Sequence, residues 1–107
     1  YIHIRDVARV FLHCIENFES IKNQAYNVGL SNANISKREL CATIKKEIPS
    51  FYYTEAKVGE DPDKRDYVVN NEKIERTGFM PKYSLRDGVQ ELIRAYQVIK
   101  ENRYANI

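Results

Sequence analysis

The sequence predicts an α/β fold of α+β character, in which short strands carry amphipathic helices within a single domain over residues 1–107. Three observations lead there. Short runs rich in aromatic and β-branched residues alternate with longer segments whose apolar residues recur every three or four positions. Serine and aspartate stand where those longer segments would begin, as helix caps do. The strands are few, so the order β-α-β-α-β-β-α-α falls short of a complete doubly wound sheet. A chain of 107 residues holds one domain with a modest core.

The elements follow in order. "YIHI" alternates and predicts a first strand. Asp6 is placed to cap the next helix, because a short carboxylate accepts hydrogen bonds from the first free amides. That helix runs to about Phe18, with Val7, Phe11, Cys14, Ile15 and Phe18 as its core face. "QAYNVG" predicts a second strand stopped by Gly29, and "SNAN" a loop. "SKRE" from Ser36 to Glu39 is a capping box, with Ile35 and Leu40 spaced as a hydrophobic staple. The helix it opens directs Leu40, Cys41, Ile44 and Ile48 inward and ends before Pro49. "FYYTEAK" predicts a third strand, "DYVVN" a fourth, and a short helix around Ile74 stops at Gly78. Ser84 caps the last helix, whose inward face is Leu85, Val89, Leu92, Ile93 and Tyr96. The chain opens at Tyr1 inside a strand-like run, which predicts a piece of a longer polypeptide.

Composition narrows the function. A net charge of +2, with bases interleaved among 15 acids, gives no one-sided basic stripe, so no nucleic-acid partner is predicted. No apolar run is long enough to span a membrane, and no secretory leader stands at the start. Cys14 and Cys41 both fall on apolar helix faces and read as buried thiols, which fits a reducing cytoplasm. His3, His13, Cys14 and Cys41 have no metal-ligand spacing, so no metal site is predicted; His13 reads as a solvated histidine.

The four glycines, Gly29, Gly59, Gly78 and Gly88, stand singly. A dinucleotide or phosphate loop needs them clustered at a strand-to-helix turn, so this chain alone is predicted to bind no nicotinamide cofactor. Tyr53 and Lys57 match a Tyr-x-x-x-Lys pattern in "YTEAK". That chemistry needs both side chains on one helical face, where the ammonium lowers the phenol pKa. In a strand, residues four apart lie roughly 13 Å from each other, so no catalytic role is assigned to the pair. The stretch that remains is "EDPDKRDY". Extended, it turns Asp63, Arg65 and Tyr67 to one side: a carboxylate for hydroxyls, a fork of donors for phosphate, and a ring for a base or sugar. A solvated charged loop would read the same way.

Several stretches in succession resemble the C-terminal part of extended short-chain dehydrogenases, the NAD(P)-dependent nucleotide-sugar epimerases and dehydratases. These are "YIHIRDVARVFLHCIEN", "YNVGL", "DPDKRDYVVNNEKIERTGF" and "YSLRDGVQELI". The resemblance implies a substrate-side portion lacking the dinucleotide-binding half, with the glycine fingerprint and catalytic Tyr-x-x-x-Lys upstream of residue 1. It implies NAD or NADP in the full-length enzyme, a nucleotide-sugar substrate, and a homodimer formed through helices outside this chain. Carried over by position, Asp63 lies near the ribose hydroxyls and Tyr67 on the substrate side, while Arg65 replaces an arginine that the family places where Glu60 stands. No catalytic residue falls within the chain. A stand-alone α+β binding or scaffold module of related ancestry is the alternative reading.

Overall fold

The computed structural model describes residues 1–55 and 68–99. Five helices and one 3-10 turn make up its regular structure: α1 Ile4–Glu16, α2 Phe18–Ile21, the 3-10 turn Ser31–Ala33, α3 Lys37–Glu47, α4 Glu72–Glu75 and α5 Leu85–Val98. No strand occurs among the described residues, so the predicted α/β class gives way to a helical one. The helices stand close to where the sequence places them. Among the described residues the strands do not form.

The reason lies in what the extended segments bond to. A strand exists only when a second backbone meets it in register. Residues 1–3 and 24–30 touch through a single backbone bond, Leu30 N to Tyr1 O at 2.9 Å, and the chain's amino group reaches Ala33 O at 3.3 Å. Around residues 68–70 the ladder positions are taken by side chains. Asn34 donates to Val69 O and accepts from Val69 N, at 2.9 and 3.1 Å, as a neighbouring strand would. Asparagine can do this because its amide carries both donor and acceptor.

Helix α1 begins one turn earlier than Asp6 would cap it. His3 is the cap, its Nδ1 accepting from Arg5 N at 3.1 Å, with backbone φ −75° and ψ 140°. Asp6 is instead fully buried. Its two oxygens accept from the backbone amides of Lys82 and Tyr83 at 3.0 to 3.1 Å and from Arg9 at 2.6 Å, while Arg9 also donates to Met80 O at 3.0 Å. Burial alone pushes this carboxyl up; the amides of Lys82 and Tyr83 and the Arg9 guanidinium outweigh it and hold it below the usual carboxylate range. The node fixes α1 against the segment that leads into α5.

The core is small. Val10 of α1, Ile74 of α4 and Phe79 are buried together, with Cys14, Tyr26 and Val28 packed around them. The inward face of α1 is therefore Asp6, Val10 and Cys14; of the predicted core face Cys14 packs on the core and Val7 is half-buried, whereas Phe11, Ile15 and, in α2, Phe18 are exposed. His13 is not solvated. It is half-buried, with Nε2 2.8 Å from Thr77 Oγ1 and its ring 5.7 Å from that of Phe79.

Helices α3 and α5 form a second packing unit. Both carry capping boxes: Ser36 with Glu39, and Ser84 with Asp87, each closed in both directions. Leu40 and Ile44 of α3 face Val89 and Leu92 of α5 across an apolar cavity of about 250 Å³. Only Val89 is buried among the inward positions predicted for these two helices; the α3 positions are half-buried, and Leu92 and Tyr96 are exposed. Glu47 joins the pair, accepting from Gln90 at 2.9 Å and pairing with Arg86 at 2.8 Å. Both cysteines are free and half-buried. No described helix is long and apolar enough to cross a membrane.

Candidate functional site

The residues predicted to hold ligand, Asp63, Arg65 and Tyr67, lie outside the described residues, as do Lys57 and Gly59. What the structure does describe are the two flanks of that stretch. Both are fastened to the start of α3. On one side, Glu55 pairs with Arg38 Nε at 2.9 Å, in the first turn of the helix. On the other, Val69 is bracketed by Asn34, two residues before the Ser36 cap. The chain therefore leaves and returns at one place, between Asn34 and Arg38.

A lattice of polar side chains holds the returning flank. Asn70 accepts from Glu72 N at 2.8 Å and so starts α4, and its own carbonyl accepts from Asn27 at 3.5 Å. Asn71 is buried at 2% exposure, donating to Ser31 Oγ at 3.2 Å, and that hydroxyl donates onward to Glu75 at 2.8 Å. The Asn71 amide lies against Gly29, where an added Cβ would stand 3.2 Å from Asn71 Oδ1. Gly29 is thus a point of close approach between the 24–30 segment and α4. Lys73 completes the seam, donating to Ala25 O at 2.8 Å and Gln24 at 3.0 Å with its ammonium 4.7 Å from the Tyr26 ring.

Asn27, Asn34 and Asn71 were not singled out by sequence reasoning. "SNAN" read as an ordinary loop. The available signal was the density of asparagine in "SNAN" and "VVNN", a residue able to bond an extended backbone in both directions. Asp6 was misassigned for a related reason: its spacing suits a cap, and only the fold brings the Lys82 and Tyr83 amides to it.

The remaining candidates have ordinary surroundings. Tyr53 is half-buried outside any helix, its ring 6.0 Å from that of Phe51. His3 is 5% exposed at its side chain, stacked on Tyr83 at 4.7 Å with Nε2 3.4 Å from Glu91. Among the described residues no group of three histidines, cysteines or carboxylates stands close enough to hold a metal. The described glycines each meet a local demand of the fold. Gly29 meets Asn71, a Cβ added at Gly88 within α5 would stand 3.4 Å from the His3 ring, and Gly78 turns the chain after α4 at φ +92°.

No protein-family model matches the chain. Among curated proteins it is similar to GDP-L-fucose synthase 1 of Arabidopsis thaliana, with 30% identity over 95 residues that make up 85% of this chain and 27% of that protein. The chain therefore spans about a quarter of the length of the curated relative it matches. The likeness points toward the nucleotide-sugar enzymes at the level of the family and assigns no residue a role.

Proposed function

We propose that this chain is the nucleotide-sugar-binding portion of an NAD(P)-dependent epimerase, dehydratase or reductase, and that it is inactive alone. The supporting observation is the likeness to a synthase named for a nucleotide sugar, over 85% of the chain. In this reading Arg65 engages the diphosphate with its planar fork of donors, Asp63 accepts from ribose hydroxyls, and Tyr67 lies against the base or sugar. Asn34 and Arg38 hold the described flanks of that stretch. The nicotinamide would supply hydride chemistry when bound by the longer enzyme, and no step of that chemistry is assigned to residues of this chain.

Calorimetric titration of the full-length enzyme with GDP and UDP is the test. Arg65→Ala should weaken binding by about 1.5–3 kcal/mol, the usual worth of a charge-assisted hydrogen bond. Arg65→Lys keeps the charge but not the fork and should also weaken it, and Lys64→Ala should change little. If Lys64→Ala is the most damaging, the opposite face carries the ligand. If none of the three matters, the stretch is a solvated loop and the proposal fails.

A further inference from the structure

His3 has both of its ring nitrogens in use. Nδ1 accepts from the Arg5 amide at 3.1 Å and so caps α1, while Nε2 lies 3.4 Å from Glu91 Oε2 on α5. A backbone N–H can only donate, so Nδ1 carries the lone pair and the ring proton stands on Nε2, facing a carboxylate. The side chain is buried against Tyr83, with the two rings stacked at 4.7 Å. A neutral ring in this tautomer satisfies both contacts. A charged ring cannot satisfy the first.

A second ring proton enters at Nδ1. It turns the acceptor of the Arg5 amide into a donor, so that two N–H groups face each other. The groups around the ring pull in opposite directions. Against the charge stand the first turn of α1, whose free amides present partial positive charge, and the Arg5 guanidinium, 5.7 Å from the Tyr83 ring on which His3 stacks. In favour of it stand Glu91, Asp87, which interacts with a charge on the ring, and the face of Tyr83. The chain's amino group is engaged elsewhere, at Ala33 O. Histidine is the side chain that changes charge near neutral pH.

We propose that His3 is a pH-sensitive clasp between α1 and α5: neutral, it caps α1; protonated, it gives up the cap and is held by Glu91 as an ion pair. The first turn of α1 then opens while the tie to α5 tightens. Glu91 can serve both states because its two oxygens are divided, Oε1 accepting from Arg5 at 3.2 Å and Oε2 facing His3. Helices α3 and α5 start on serine hydroxyls, which do not titrate near neutral pH. Of the described helices with side-chain caps, α1 alone would respond. This device is separate from the nucleotide-sugar reading, and its failure would leave that reading untouched.

Nitrogen NMR of the chain from about pH 8 to pH 5, the span in which histidine changes charge, tests the proposal. The sequence has two histidines, so His13→Asn assigns the signals of the His3 ring. At the alkaline end that ring should show the Nε2–H tautomer. As it takes up its second proton, protection of the Arg5 amide against hydrogen exchange should fall about tenfold, the usual effect of losing a helix cap, in step with the ring signal. His3→Asn caps a helix without titrating and should keep that protection across the range. Glu91→Gln should take up the ring proton at lower pH than the parent. An Nδ1–H ring at the alkaline end overturns the proposal, as does an Arg5 amide indifferent to the His3 titration. So does the same pH-dependent loss of protection in His3→Asn, or a Glu91→Gln midpoint equal to the parent's. The first two results come from the parent chain and stand even where a variant fails to fold.

Discussion

Asp6 is the residue whose loss should unsettle this fold most. Its carboxylate is fully buried and accepts from two backbone amides and from Arg9. In Asp6→Ala the amides of Lys82 and Tyr83 lose their acceptor, and each buried donor left unmet costs about 1–3 kcal/mol. Arg9 keeps Met80 O but loses its counter-charge. The total expected is about 2–4 kcal/mol, set mainly by the two amides, because Arg9 is 41% exposed and water can solvate its charge. Asp6→Asn retains one accepting oxygen and turns an NH₂ toward existing donors, so it should lose about half as much. Against a total stability of about 5–15 kcal/mol for a domain, either change is large. Urea denaturation followed by circular dichroism at neutral pH measures both. The carboxyl is held below its ordinary range in the fold, so its contribution is fully present above the unfolded pKa and is lost as pH falls through the folded one. Parent stability should therefore decline below about pH 4, and Asp6→Asn should lack that component of the decline. Asp6→Ala within about 1 kcal/mol of the parent would refute the account, and so would an unchanged acid profile in Asp6→Asn.

Two further predictions concern helix ends. Ser36→Ala removes the acceptor for Glu39 N and should lower stability by about 1 kcal/mol in the same denaturation assay. Gly78→Ala places a side chain at φ +92°, where nothing within 4 Å would obstruct it, so the loss of about 1–2 kcal/mol should come from backbone strain alone. Gly78→Asn, which tolerates positive φ better, should recover part of it, and equal melts for all three chains would show the turn to be unstrained.

The helices were legible because their signals are local. Ser36 with Glu39, Ser84, Gly78 and the stop before Pro49 each act within one turn of chain, and each stands where the sequence places it. The strands were not legible, because β-propensity states only that a segment suits an extended backbone, and pairing depends on what arrives beside it. At Val69 an asparagine side chain arrived. Helix α1 failed for another reason. It is apolar on both faces, so periodicity alone could not tell which one turns inward, and the buried carboxylate of Asp6 settles it for Val10 over Phe11. Of the candidate site, the composition of residues 63–67 was readable, whereas the anchoring by Asn34 and Arg38 depends on groups far apart in sequence.

The common footing of the two flanks bears on how this chain could change over time. Glu55 and Val69 are tied to positions only four residues apart, Asn34 and Arg38. For a stretch whose ends are already held together, each doubling of length adds only about 0.6 kcal/mol of closure entropy. Changes of length between the flanks would therefore add little closure entropy. Selection could lengthen or shorten that stretch at little entropic cost, whereas a single change at Asn34 would remove the footing of its returning flank.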